Sequence, residues 1–159
     1  MDIKKLQTRP FSTFNDDWAL VTSGPVDKHN SMTISWGEMG TLWNKNVVTI
    51  FVKPCRYTYK FMEENEYFVV SFFDERYKNA LKIMGSKSGR DVNKDDESGL
   101  TPMKYGQVTT YLEAKMTIIC KKIYSNDLVL ENIPEAERKK HYEIDKPHRM
   151  YIGEVVKII

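Results

Sequence analysis

Residues 67–73 read Tyr-Phe-Val-Val-Ser-Phe-Phe, a run of aromatic and β-branched side chains in which Ser71 is the one polar residue. Asn65 lies just before the run and Asp74 follows it, and both residue types are common where strands end. A short run of this composition with these flanks is typical of a β-strand. The stretch therefore predicts a protein built on a β-sheet.

Similar runs recur on both sides of this stretch. Residues 112–124 begin by alternating apolar and polar side chains, as a half-buried strand does, and residues 151–159 end the chain in the same manner. Six strands without long helices between most of them imply an antiparallel sheet, closed into a barrel. The other three predicted strands are 18–22, 32–36 and 47–52.

Three helices are predicted around the sheet. Residues 57–65 and 76–84 carry apolar side chains at helical spacing, and Gly85 follows the second as a stop signal. Residues 134–142 begin with proline and acidic residues and end with basic ones, which is typical of an exposed helix. The fold class is thus mainly β (α+β), with peripheral helices, and we expect one domain over residues 1–159 because no linker or repeat divides the chain.

Composition narrows the functional classes. The 159 residues include 24 basic and 22 acidic ones, so a net charge of +2 does not favour nucleic-acid binding. A mean hydropathy of -0.52, no long apolar run and no secretory signal predict a soluble cytoplasmic protein. Cys55 and Cys120 lack the spacing of a metal site, and we expect them to be buried free thiols and no metal to be bound.

Residues 85–94, Gly-Ser-Lys-Ser-Gly-Arg-Asp-Val-Asn-Lys, form the most polar stretch and begin where the second predicted helix ends. The stretch matches neither a Walker A loop nor a dinucleotide-binding glycine motif. It is either an ordinary solvated loop or a segment whose amides, hydroxyls and cations surround an anion. The stretch alone does not decide between the two.

Two further clusters leave similar alternatives. Alternation places Thr33 and Ser35 on one face of a predicted strand, which is either an edge in water or a wall that hydrogen-bonds a ligand, with Asn30 at its start. Arg56 and Thr58 lie where an apolar strand gives way to a helix. That helix start is either simply capped or a seat for a phosphate, since it offers free amides and a positive dipole end.

Five motifs follow one another along the chain: N-S-M-T-I-S-W-G at 30–37, K-P-C-R-Y-T at 53–58, S-F-F at 71–73, the polar stretch at 85–94, and H-R-M-Y-I-G-E-V at 148–155. In this order they resemble the motifs of the flavin reductase-like proteins, the group that includes flavoredoxin and has an FMN-binding split β-barrel. The resemblance extends from about residue 18 to the C-terminus.

This resemblance implies a homodimer that binds FMN near its subunit interface, with the flavin ring on the strand of residues 33–36. By position, Asn30, Thr33, Ser35 and Trp36 would line the ring and ribityl chain; Arg56, Tyr57 and Thr58 would bind the phosphate end; and Ser88, Arg90 and Lys94 would complete the cradle. A cation such as Lys94 near the pyrimidine side of the ring would also ease its reduction.

The sequence departs from the family pattern before the last strand. Lys146-Pro147 stands where reductase components carry Gly-Asp, although His148, Gly153 and Val155 are kept. His148 would face a nicotinamide or another acceptor, or else is a loop histidine. The implied function is transfer of reducing equivalents from NAD(P)H or a redox protein through FMN to a flavin or other acceptor. The alternatives are an FMN-binding electron carrier without turnover and a small nucleic-acid-binding barrel.

Overall fold

The run at residues 67–73 forms a central strand of a seven-stranded antiparallel sheet in the computed structural model, which describes residues 2–159. Within these residues a separate two-stranded hairpin and four α-helices accompany the sheet. The strands are β1 Ala19–Ser23, β2 Asn30–Ile34, β3 Gly37–Leu42, β4 Lys45–Val52, β5 Tyr67–Phe72, β6 Pro102–Tyr105, β7 Val108–Tyr111, β8 Met116–Asp127 and β9 Arg149–Ile158; the helices are α1 Tyr57–Glu64, α2 Lys78–Ser86, α3 Lys94–Ser98 and α4 Glu135–His141.

The strand order is β2-β1-β5-β8-β9-β4-β3. Strand β5 lies between β1 and β8, where Val70 is opposite Val21 on one side and Ile118 on the other. The β-branched side chains of the quoted run therefore pack against those of both neighbours, which is the pairing that stabilises a sheet. The prediction of a mainly β, antiparallel fold with peripheral helices is confirmed.

The main core fills the inside of the curved sheet. Phe68, Phe72 and Tyr151 are its largest fully buried side chains, and Phe14 from the N-terminal segment packs edge-on against Phe72 at 5.4 Å between ring centroids. Gly153 lets β9 pass close to this core, because a Cβ there would lie 2.6 Å from atoms of Phe68 and of Cys120.

The predicted barrel is a split one. Strands β2 and β3 stand at opposite ends of the strand order, although only Ser35 and Trp36 separate them along the chain. Because two residues span only a short distance, the two edges of the sheet lie close together and the sheet curls round into a barrel. The strand order shows no pairing between β2 and β3, so a seam remains between these two edges. The predicted strand 32–36 is displaced by two residues, because β2 runs from Asn30 to Ile34, and Trp36 is 43% exposed.

Several other boundaries need correction. Residues 112–115 lie outside a strand, and β8 begins at Met116 and continues to Asp127. The second helix is a 3₁₀ turn at Glu75–Tyr77 followed by α2, which runs through Gly85 to Ser86, so Gly85 does not end it. Cys55 is exposed and only Cys120 is buried, so the expected burial of both thiols is wrong for Cys55.

Four elements were not predicted. Strand β3 forms a hairpin with β4 across Trp43 and Asn44, both at positive φ, and β6 and β7 form the separate hairpin around Gly106. Helix α3 begins at the last residue of the polar stretch. None of the helices in residues 2–159 is long and apolar enough to cross a membrane.

Candidate functional site

The side chains predicted for the site line two adjoining cavities, which share Met32 and Arg56 as common wall. We call one the cationic cavity; it has a volume of about 110 Å³ and is lined by β2, the start of α1, and residues 84–94. The other, the aromatic cavity, has about 270 Å³ and lies at the seam, below the end of α4. Asn30, Arg56, Tyr57, Thr58, Ser88, Arg90 and Lys94 line the cationic cavity, and Thr33, Ser35, Trp36, Arg56 and His148 line the aromatic one.

The floor of the cationic cavity is a tightly packed polar contact. The amide of Asn30 on β2 donates to the hydroxyl of Thr58 on α1 at 2.8 Å, and both residues are buried. The polar stretch closes over this pair at Gly89, where a Cβ would lie only 2.2 Å from Oδ1 of Asn30 and 2.9 Å from the ring of Tyr57. Glycine is therefore required for this close approach, and Asn30 ties β2 to α1.

Besides Lys87, which is paired with Glu97, three cations line the cationic cavity. The guanidinium of Arg90 lies 4.9 Å from the ring centroid of Tyr57, and Arg56 stands at the N-cap of α1, where its side chain makes no capping hydrogen bond to the described residues. The first amides of α1 and its positive dipole end thus add to the side-chain charges. Together these groups form a site suited to a phosphate.

The third cation, Lys94, is buried, with only 7% of its surface exposed. Its ammonium donates to the carbonyl oxygen of Ser31 at 2.7 Å, the one acceptor that the described residues offer it. Burial, with repulsion from Arg56, lowers the pKa of Lys94 to about 8, although Asp95 opposes the shift. An ammonium has three N–H donors, so this one retains capacity for an anion in the cavity.

Three aromatic rings face one another in the aromatic cavity. The indole of Trp36 lies 5.2 Å from the ring of His141 and 5.1 Å from that of His148, measured between centroids. His141 is the last residue of α4, and Lys53 holds this helix end by donating to its carbonyl oxygen at 3.0 Å. The end of α4 is thus a wall of the cavity, where planar ligands find apolar contact.

His148 is held in place by the hydroxyl of Tyr142, which lies 2.8 Å from its Nδ1. Burial lowers the pKa of His148 to about 4, and the positive charges of Lys53 and Arg56 and the neighbouring His141 lower it as well. The imidazole is therefore neutral at physiological pH, and it presents an uncharged ring to the cavity.

Thr33 has a structural partner. Its hydroxyl donates to the carbonyl oxygen of Leu81 at 2.5 Å and so joins β2 to α2.

Met32, Lys53 and His141 also line the cavities but were not predicted from the sequence. Met32 and Lys53 lie inside motifs that were quoted, but His141 comes from a helix that appeared peripheral, and no local signal connects it to residue 36.

Residues 11–159 match the model of the flavin reductase like domain, so this chain belongs to the flavin reductase-like family. No curated protein sequence matches the chain.

Solved structures of low sequence identity share the fold. Flavoredoxin of Desulfovibrio vulgaris (Miyazaki F) is 21% identical over 98% of this chain and 75% of its own, with a TM-score of 0.70. Nitrilotriacetate monooxygenase component B from Bacillus cereus is 20% identical over 97% and 70%, with a TM-score of 0.70. The NADH:FAD oxidoreductase of Streptomyces globisporus is 15% identical over 90% and 74%, with a TM-score of 0.69. The curled sheet with its seam between β2 and β3 is thus the split barrel of this family.

Proposed function

We propose that the two cavities together bind FMN, with the phosphate in the cationic cavity and the ring in the aromatic cavity. The observation that carries this proposal is that a cation-lined cavity and an aromatic cavity share one wall. FMN has the matching parts, a phosphate at one end and a flat, largely apolar ring at the other. Each cavity is smaller than the ~300 Å³ typical of a complete ligand site, so FMN would have to span both.

The residues around the phosphate would act by position and charge. Arg56 and Arg90 can donate charge-assisted hydrogen bonds, and the buried Lys94 adds a cation that is already desolvated. Ser88 closes a turn in which the amide of Arg90 donates to its hydroxyl at 3.2 Å, which keeps the polar stretch close to the cavity. The polar stretch is, on this proposal, part of the phosphate site and not an ordinary loop.

We propose further that the protein is an FMN-dependent oxidoreductase. When bound, the flavin would supply the redox chemistry, accepting reducing equivalents from NAD(P)H or a redox protein and passing them to a flavin or other acceptor. The chain would bind and orient the reactants. Trp36 would exclude water from one side of the ring, and the neutral His148 would hydrogen-bond or pack against the nicotinamide or acceptor.

The test begins with the absorption spectrum of the purified protein after FMN loading and desalting. NADH and then NADPH are added without oxygen. Retained flavin bands that bleach with a nicotinamide are the expected result, and the faster donor names the substrate. A protein that retains no flavin after loading contradicts the proposal.

The second candidate is an FMN-binding electron carrier without turnover. The flavoredoxin among the structural neighbours favours this function. The sequence Lys146-Pro147 favours it too, because reductase components of the flavin reductase-like family carry Gly-Asp at that place. Steady-state oxidation of NAD(P)H with free flavin as acceptor separates the two functions, since a carrier would keep FMN yet oxidise NAD(P)H at a negligible rate.

The resemblance also leads us to propose a homodimer. We further propose a cytoplasmic location, because free thiols suit a reducing compartment.

A further inference from the structure

A partly buried chain of hydrogen bonds lies next to Lys94. Both ring nitrogens of His29 face acceptors: Nδ1 lies 2.9 Å from the carbonyl oxygen of Val26, and Nε2 lies 3.0 Å from Oδ2 of Asp95. A ring that carries protons on both nitrogens satisfies both acceptors, whereas a neutral ring satisfies one. The other carboxylate oxygen, Oδ1, accepts a hydrogen bond of 2.7 Å from the hydroxyl of Tyr111.

The chain continues to the residue that holds the ammonium. The hydroxyl of Tyr111 also lies 2.8 Å from Oγ of Ser31, which in turn is 2.8 Å from Oγ1 of Thr22 on the adjacent strand. The carbonyl oxygen of Ser31 is the acceptor of the Lys94 ammonium. One continuous set of contacts therefore fixes both sides of Lys94: the peptide that accepts its hydrogen bond and, through Asp95, the first turn of its own helix.

We propose that His29, Asp95 and Tyr111 are positioning residues that hold the Lys94 ammonium at the wall of the cationic cavity, where it binds the phosphate of FMN. This inference rests on the proposed function. Asp95 also anchors the end of the polar stretch to the β1–β2 hairpin, through His29, and to β7, through Tyr111. None of the three was selected by sequence motifs, because they come from separate segments of the chain.

Charge and position predict opposite effects for Asp95. If the carboxylate acted only through its charge, Asp95→Ala would tighten binding of an anion nearby at pH 6.5, where Lys94 stays charged, since a negative charge is removed. If it acts by position, the same variant loosens binding, because alanine accepts no hydrogen bond from His29 or Tyr111. The direction of the change thus decides between the two roles.

The experiment is a titration at pH 6.5 of Asp95→Ala and Tyr111→Phe with FMN and with riboflavin, which lacks the phosphate. Each variant is expected to lose about tenfold in FMN affinity, the scale of one charge-assisted hydrogen bond, with little change for riboflavin. Asp96→Ala is the matched control, since the exposed neighbour loses the same charge but its carboxylate makes no hydrogen bond to described residues. It should bind FMN as the wild type does or slightly more tightly.

A double-mutant cycle with Lys94→Met shows whether the network acts through Lys94. In that background Tyr111→Phe should cost nothing further in FMN affinity, since coupled residues are not additive. Equal losses for FMN and riboflavin, or full additivity, would overturn the inference while leaving FMN binding intact. A wild type that binds no FMN would remove the proposed function and this inference together. Thermal melts of all variants identify any that fail to fold, and Tyr111→Phe is the least disruptive of them.

Discussion

Lys94 is the residue whose charge state should be visible in cofactor binding. Its pKa is lowered to about 8 by burial and by Arg56, so the free protein loses this positive charge just above neutral pH. A bound phosphate favours the ammonium and raises that pKa, so binding takes up a proton above pH 8. The FMN dissociation constant should be level from pH 7 to 8 and then rise by up to about tenfold per pH unit.

Isothermal titration in two buffers of different ionisation enthalpy measures both the affinity and the proton uptake. The second ionisation of the phosphate, near pH ~6, lies below this window and does not interfere. Lys94→Met should bind FMN more weakly and without the rise above pH 8. A rise of equal slope in that variant would assign the titration to another group.

His148 should affect stability in a different pH range. Its folded pKa of about 4 lies below the ordinary 6.5, so between these values the unfolded chain binds more protons than the folded one. Stability rises with pH wherever that holds, so this contribution is present above pH 6.5 and is lost as the pH falls towards 4. Because the ring is only partly buried, we expect ~1 kcal/mol of loss by pH 5.

Urea unfolding at pH 7 and pH 5 checks this expectation for the wild type and His148→Asn. The variant has no imidazole at this position, so its free energy of unfolding should decline less over the same interval. An identical decline in both proteins would show that His148 is not the group responsible.

At the scale of elements, the site depends on how closely the polar stretch approaches β2 and α1. In Gly89→Ala the new Cβ would collide with Asn30 and Tyr57 and push residues 88–90 away from the cavity. We expect FMN affinity to fall at least about tenfold, since the charge-assisted hydrogen bonds from this segment require short distances. Gly40→Ala on β3 is the control, because nothing lies within 4 Å of its added Cβ.

Fluorescence titration with FMN measures both variants, and thermal melts report any general loss of stability. Gly40→Ala should match the wild type in both measurements. If Gly89→Ala also matches it, the polar stretch does not form part of the binding site, and the ordinary-loop alternative for residues 85–94 is correct.

Some strands and helices could be predicted from the sequence and others could not, for physical reasons. Strand β5 was predictable because its own aromatic and β-branched side chains favour a strand whichever strands pair with it. Strand β3, Gly-Glu-Met-Gly-Thr-Leu, has no such preference and forms a strand because β4 pairs with it. Helix α3 did have a local signal: Asn93 accepts from two amides of the first turn, and Gly99 ends the helix at φ 72°.

The candidate site shows the same division. The motifs that join β2, α1 and α2 lie at fixed places along the chain, so the residues they carry could be assigned to a common region. His141 and the network of His29, Asp95 and Tyr111 could not, because each contact joins segments distant in sequence. Burial of Lys94 is likewise a tertiary property, since its neighbours in sequence are polar.

At the scale of the whole molecule, the proposed homodimer makes a quantitative prediction. Large apolar side chains such as Trp43, Leu112 and Val156 are exposed in the single chain, and an interface with a second copy could bury such side chains. Sedimentation equilibrium should therefore give twice the 18.6 kDa of one chain. If FMN binds near the subunit interface, it should also favour the dimer, because two linked equilibria affect each other by the same factor.

The measurement follows dimer dissociation on dilution, with and without saturating FMN, and FMN affinity at protein concentrations above and below the dissociation midpoint. The factor by which FMN strengthens the dimer should equal the factor by which dimerisation strengthens FMN binding, once each is expressed per site. A monomer that binds FMN as tightly as the dimer would place the cofactor site within one chain, remote from any interface. In that case the cavities of the single chain, with Arg56, Arg90 and Lys94 already in place, must account for the whole of the flavin affinity.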